Sequence, residues 1–129
     1  MIVRFTVLLL CGVGLYASAF MLRKTLRAAR GELDAPSVVQ TARARALGGT
    51  PNAAVGLAYY GCLAAATLLF SWPPAWWAGL LASLGAAAFS AYLAYSLLFV
   101  TRMPCVYCWT SHAVNWTLPV LILFARPPG

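Results

Sequence analysis

No acidic or basic side chain occurs between Ala46 and Thr101. That run constrains the chain more than any other feature. One helical crossing of a bilayer needs about 20 apolar residues, so the run has room for two. Composition agrees: 63% of the residues are hydrophobic and 9% are charged, against about 25% charged in a soluble domain. The chain reads as an integral, multi-pass membrane protein whose main partner is the lipid bilayer. Its net charge of +7 does not point to nucleic acid, because the basic residues flank apolar segments, as membrane anchors and topology signals do.

The first apolar run, Phe5 to Leu22, follows Arg4 and precedes Arg23-Lys24. It is long for a signal peptide and lacks a clear small-x-small cleavage site before its basic end. It therefore predicts a membrane helix over about 5–30, with a basic end past the membrane surface. Gly14 and Ser18 are spaced to let a neighbouring helix approach. Residues 31–50 form the hydrophilic loop. Within it Pro36 opens a pattern over about 36–47 that puts Val38, Val39, Ala42 and Ala46 on one face, and Gly48-Gly49 ends it. The expectation is a short amphipathic helix lying in the interface.

Thr50-Pro51-Asn52 looks like a helix start, with Thr50 as cap and Pro51 in the first position. A second helix follows over about 53–72. Ser71-Trp72-Pro73-Pro74 reads as a turn in an aromatic belt with Trp76 and Trp77. A third helix is expected over about 76–100, with Gly79, Ser83, Ser90 and Ala94 spaced for close packing. After the turn at Thr101-Arg102-Met103, a fourth spans about 104–124. The expected fold is all-α, one four-transmembrane-helix antiparallel bundle over residues 1–129. Crossing parity then puts the long loop, Asn52 and the third turn at one end.

That third turn carries the chemistry. In Met103-Pro104-Cys105-Val106-Tyr107-Cys108-Trp109-Thr110-Ser111-His112, two thiols lie three residues apart at the start of an apolar segment. On a helix they share a face. Pro104 suits the first helical position, which puts Cys105 in the first turn, where the helix dipole favours a thiolate. A second thiol in reach makes a redox pair. His112 follows Cys108 by one turn, and Asn115 continues the polar stripe more weakly. An ionisable group within a membrane span is a functional-site hypothesis by default. Asn52 has two open roles, supporting its helix start or offering an amide to a ligand. Cys11 and Cys62 stand alone in apolar runs and read as small hydrophobes.

Taken together, Gly49-Thr50-Pro51-Asn52-Ala53-Ala54-Val55-Gly56-Leu57-Ala58-Tyr59-Tyr60 and Cys105-Val106-Tyr107-Cys108-Trp109-Thr110-Ser111-His112 resemble the vitamin K epoxide reductase family, as do the helix layout and Pro36-Ser37-Val38-Val39. The resemblance covers nearly the whole chain. It implies a quinone-linked thiol oxidoreductase, with a menaquinone, ubiquinone or vitamin K type quinone held in the bundle. It implies that Cys108 attacks or forms an adduct with the quinone, and that Cys105 exchanges disulfides with a loop cysteine pair. It further implies that Asn52 and His112 bind the quinone, and that a thioredoxin-like or other dithiol protein is the partner. In one place the chain departs from the pattern. No cysteine lies between Cys11 and Cys62, and Ala35 stands where the second loop cysteine is expected.

Two other readings compete. Cys105, Cys108 and His112 could bind a metal, but structural zinc wants four ligands and no fourth is visible, so no metal site is expected. Alternatively, the bundle could survive as a non-catalytic interaction protein without its loop relay. On orientation, two indications oppose each other. Arg23, Lys24, Arg27, Arg30, Arg43, Arg45 and Arg102 outweigh Arg4 and Arg126, which places the Cys end in the cytoplasm. The resemblance, and disulfide chemistry itself, place it on the other side.

Overall fold

The computed structural model describes residues 1–41, 44–45 and 49–127. Among these it contains four α-helices and no strand: α1 (Ile2–Ala29), α2 (Asn52–Leu68), α3 (Pro73–Ser96) and α4 (Val106–Phe124). Two segments are long and apolar enough to cross a bilayer, Ile2–Ala29 and Pro73–Thr101, and α2 is a shorter apolar helix. Large apolar side chains such as Leu9, Leu81, Leu84, Val120 and Leu123 face outward.

Pairs of interacting residues fix the helix directions. Arg4 Nη1 donates to Ser71 Oγ at 3.1 Å, Gly14 packs on Tyr60, and Gly56 lies against Ser18. As α1 advances from Arg4 to Ser18, its partners recede from Ser71, just past α2, to Gly56 within it, so the two helices are antiparallel. Trp76 Nε1 donates to the Ile122 carbonyl at 2.8 Å and Trp116 Nε1 to the Ala87 carbonyl at 3.2 Å, which makes α3 and α4 antiparallel as well. The core between them holds Val7, Cys11, Tyr60, Leu63, Phe70, Trp76, Leu118 and Ile122.

Small residues set the helix spacing. A Cβ on Gly14 would run into the Tyr60 ring, and one on Gly79 would come within 2.8 Å of the Phe70 ring. Ser18, Ser83, Ser90 and Ala94 are buried. These are the positions whose four-residue spacing predicted close approach. Cys11 is buried in the core and Cys62 is exposed on the outside of the bundle.

Helix boundaries depart from expectation where local chemistry differs. α1 ends with Gly31 at φ +71°: its N–H donates to the Ala28 carbonyl, and that of Glu32 to the Arg27 carbonyl. This is a Schellman termination. α2 begins with Pro51, not Thr50, as its cap. α3 starts at Pro73 instead of near Trp76, since proline is tolerated in a first turn, where N–H groups have no helical partner. At its other end α3 loosens into a π turn over Leu97–Thr101 and stops at Arg102, whose φ of 53° is left-handed. The Arg102 N–H donates back to the Leu97 carbonyl at 3.0 Å.

The loop differs from the expected amphipathic helix over 36–47. The described residues show a 3-10 turn, Val38–Gln40, and an isolated bridge between Arg45 and Pro51, while residues 42, 43, 46 and 47 of the expectation lie outside them. Gln40 Oε1 accepts from the Ser37 N–H at 3.0 Å and holds this turn. Val39 is buried against the bundle, so this part of the loop covers the helix ends.

Candidate functional site

α4 does not begin at Pro104. Its first helical residue is Val106, and Cys105, in extended backbone, is the cap. The Cys108 N–H donates to Cys105 Sγ at 3.2 Å, so the sulfur does what a serine or aspartate oxygen does at other helix starts. Pro104 precedes this cap, and its ring disfavours helical backbone at Met103, so no helix runs into the cap from the turn before it. Three residues apart, the two sulfurs are bonded to each other, with their Cα atoms 5.2 Å apart. Within a regular helix the backbone could not adjust to such a pair; at a cap it can.

Behind the pair lies a cavity of about 370 Å³. Cys108, Asn52 and His112 all line it, and Cys105 is not among the residues that do. Asn52 is the first residue of α2, and His112 lies one turn along α4 from Cys108. Most of the wall is apolar: Met21 from α1, Val39 from the loop, Val55 from α2, Phe89 and Leu93 from α3. Leu97 and Thr101 of the π turn complete it beside the cysteines. A single π turn of this kind often accompanies a functional site, because it displaces one side chain from the helical register.

Polar groups in this wall fall into two sets. One is satisfied: the Tyr60 hydroxyl donates to Asn115 Oδ1 at 2.6 Å, and Asn115 Nδ2 donates to Ser90 Oγ at 2.6 Å. This chain ties α2, α4 and α3 together, which is the interhelical role open to Asn115. In the other set are the Tyr59 hydroxyl and His112 Nδ1, buried and without a hydrogen-bond partner among the described residues. His112 is only 5% exposed, with its ring between Trp109 and Trp116. Buried polar atoms are almost always bonded, so each such exception calls for an explanation. Tyr59 was not legible as a polar group in the sequence, where it reads as one more aromatic in an apolar helix.

An apolar cavity of this size with a few unfilled polar positions is the usual form of a small-molecule site. It suits a flat ring with oxygen at its edge, which apolar walls can sandwich and the unfilled groups can hydrogen-bond. Among the described residues, no three His, Cys, Asp or Glu side chains gather as a metal site.

The sequence profile of the Vitamin K epoxide reductase family matches residues 5–123. The chain belongs to this family. Its members are membrane proteins that couple thiol chemistry to quinones, so oxidoreductase chemistry, a quinone and a thiol partner come with membership in general terms. No curated protein sequence matches the chain. The matched span contains all of α2, α3, the cysteine pair and His112.

Proposed function

We propose that the protein is a four-span membrane enzyme that oxidises a dithiol protein and reduces a quinone through Cys105 and Cys108. The observation that carries this reading is the joint presence of Cys108, Asn52 and His112 in one apolar cavity next to the bonded pair. Four spans are consistent with helix length: the 17 residues of α2 and 19 of α4 rise roughly 25 and 28 Å, close to a hydrocarbon core of about 30 Å. The polar residues Thr110, Ser111, His112 and Asn115 lower the hydropathy of α4, and His112 and Asn115 point into the bundle, not toward lipid.

The electron path divides between the two sulfurs. A thiolate of the donor attacks Cys105 Sγ, the bond to Cys108 breaks, and Cys108 leaves as thiolate. The donor's second thiol displaces Cys105, and the donor departs as a disulfide. Two electrons and two protons now reside on Cys105 and Cys108. A quinone in the cavity takes up that pair of electrons and protons, and the Cys105–Cys108 bond returns. Asn52 and His112 hold the quinone, and donors at its oxygens favour reduction because negative charge gathers there. With no cysteine in the loop, the donor reaches Cys105 directly, and Cys105, partly exposed and outside the cavity wall, is open to it.

The test is quinone reduction by the purified protein in detergent, with a small dithiol as donor. Quinol should form at a rate proportional to enzyme and vanish in Cys108→Ala. No quinol formation, with Cys105 and Cys108 shown to be free thiols, would overturn the proposal and leave a non-catalytic bundle.

A further inference from the structure

The Tyr59 hydroxyl is left over from everything described above. It is buried, it has no partner among the described residues, and its residue lines the cavity. Its neighbour Tyr60 spends its hydroxyl on Asn115, yet the two rings sit only 4.9 Å apart. An unbonded buried hydroxyl costs stability, and a phenylalanine would have filled the same space without that cost.

Position along the bundle says what the hydroxyl faces. Asn52 and Tyr59 are seven residues apart on α2, which puts them on nearly the same stripe and roughly 10 Å apart along the axis. Asn52 opens the helix at the cysteine end. Tyr60 reaches the Ser111 carbonyl and Asn115 of α4, so Tyr59 lies at that depth too, about a turn inside Cys108. Gly56 and Val55 lie between Asn52 and Tyr59 on the wall and present no polar group. Along α2 the wall is thus polar at Asn52 and again at Tyr59, at the depth of His112, and the polar group between them is Ser18 of α1 beside Gly56. A ring with oxygens on opposite edges matches that order.

We infer that Tyr59 is a second quinone-binding donor, its hydroxyl bonding the carbonyl oxygen that points away from the cysteine end. This rests on the quinone-reductase reading above and adds a residue to it. A carbonyl oxygen has two lone pairs, so Tyr59 and His112 can serve the same inner oxygen. Tyrosine here acts as a neutral donor, and its bond strengthens as the oxygen gains charge. The role belongs to the hydroxyl, so Tyr59→Phe should remove it and leave the packing alone.

Binding of menadione and of methylnaphthalene, which has the same ring skeleton and no oxygen, would be measured on wild-type protein and on Tyr59→Phe. The variant should bind menadione about three- to tenfold more weakly and methylnaphthalene equally well. Its thermal midpoint should not fall, since the lost hydroxyl had no partner. Equal menadione binding by the two proteins would overturn the role of Tyr59 while sparing the quinone site. Equal weakening for both ligands would make Tyr59 a packing residue and overturn it too. Absence of menadione binding in the wild type would remove the underlying reading itself.

Discussion

The Tyr60 hydroxyl donates to Asn115 Oδ1 at 2.6 Å, across the bundle from α2 to α4. Because Asn115 passes a bond on to Ser90 of α3, one side chain joins three helices. Asn115→Leu leaves two buried hydroxyls without this partner. It should destabilise the bundle by about 1–2 kcal/mol, as interhelical hydrogen bonds in membranes are worth no more than that. Thermal unfolding in detergent measures it, and Ser90→Ala should show part of the same loss.

Gly14 and Gly56 both face the α1–α2 seam, but what they face differs. A Cβ at Gly14 meets the Tyr60 ring, which Asn115 holds in place, whereas one at Gly56 meets the Ser18 Oγ, a terminal atom that can rotate away. Gly14→Ala should cost about 1–3 kcal/mol and Gly56→Ala less. Gly12 has nothing within 4 Å of an added Cβ. Gly12→Ala should therefore be neutral or stabilise by up to about 1 kcal/mol through helix propensity. Unfolding midpoints of the three variants, ranked, check the order.

His112→Phe keeps an aromatic ring between Trp109 and Trp116 and deletes an Nδ1 that has no partner in the protein. Stability should hold within about 0.5 kcal/mol. Quinone turnover should fall about tenfold or more, the order expected for losing a donor at an oxygen that gains charge. Steady-state kinetics with a small dithiol donor separates this from a folding defect.

Of the two cysteines, only Cys108 lines the cavity. Saturating quinol, which cannot re-oxidise the dithiol, should therefore slow alkylation of Cys108 in the reduced protein and leave Cys105 unaffected. Mass spectrometry of labelled peptides, with and without quinol, reads both sites at once.

Membrane orientation separates the charge pattern from the chemistry. A cysteine introduced at exposed Glu32 sits in the first loop. If disulfide chemistry governs placement, an impermeant thiol reagent should label it in intact cells. Labelling only after lysis would show that the basic residues prevailed.

Much of this architecture could be read from residue spacing. The small residues at Gly14 and Ser18, and at Gly79, Ser83, Ser90 and Ala94, announced helix seams, since a missing side chain is a local property that packing can only use. Asn52, Cys108 and His112 stood out because polar groups are rare in such segments. Boundaries were less legible. Whether Pro73 ends a turn or begins a helix depends on which N–H groups would go unbonded, and proline fits both. The start of α4 was misplaced because the sequence does not say that a sulfur will act as the cap. Tyr59 was invisible for another reason: an unmet hydroxyl is defined by what lies around it in three dimensions.

Cys105 Sγ is at once the anchor of α4 and, in the proposed cycle, an atom that changes oxidation state. A freed sulfur at that position can still accept the Cys108 amide, and more strongly once it bears charge. The entrance of the helix therefore need not be rebuilt in each cycle. On the proposed cycle, the start of α4 would serve as a fixed platform across which donor and quinone come and go.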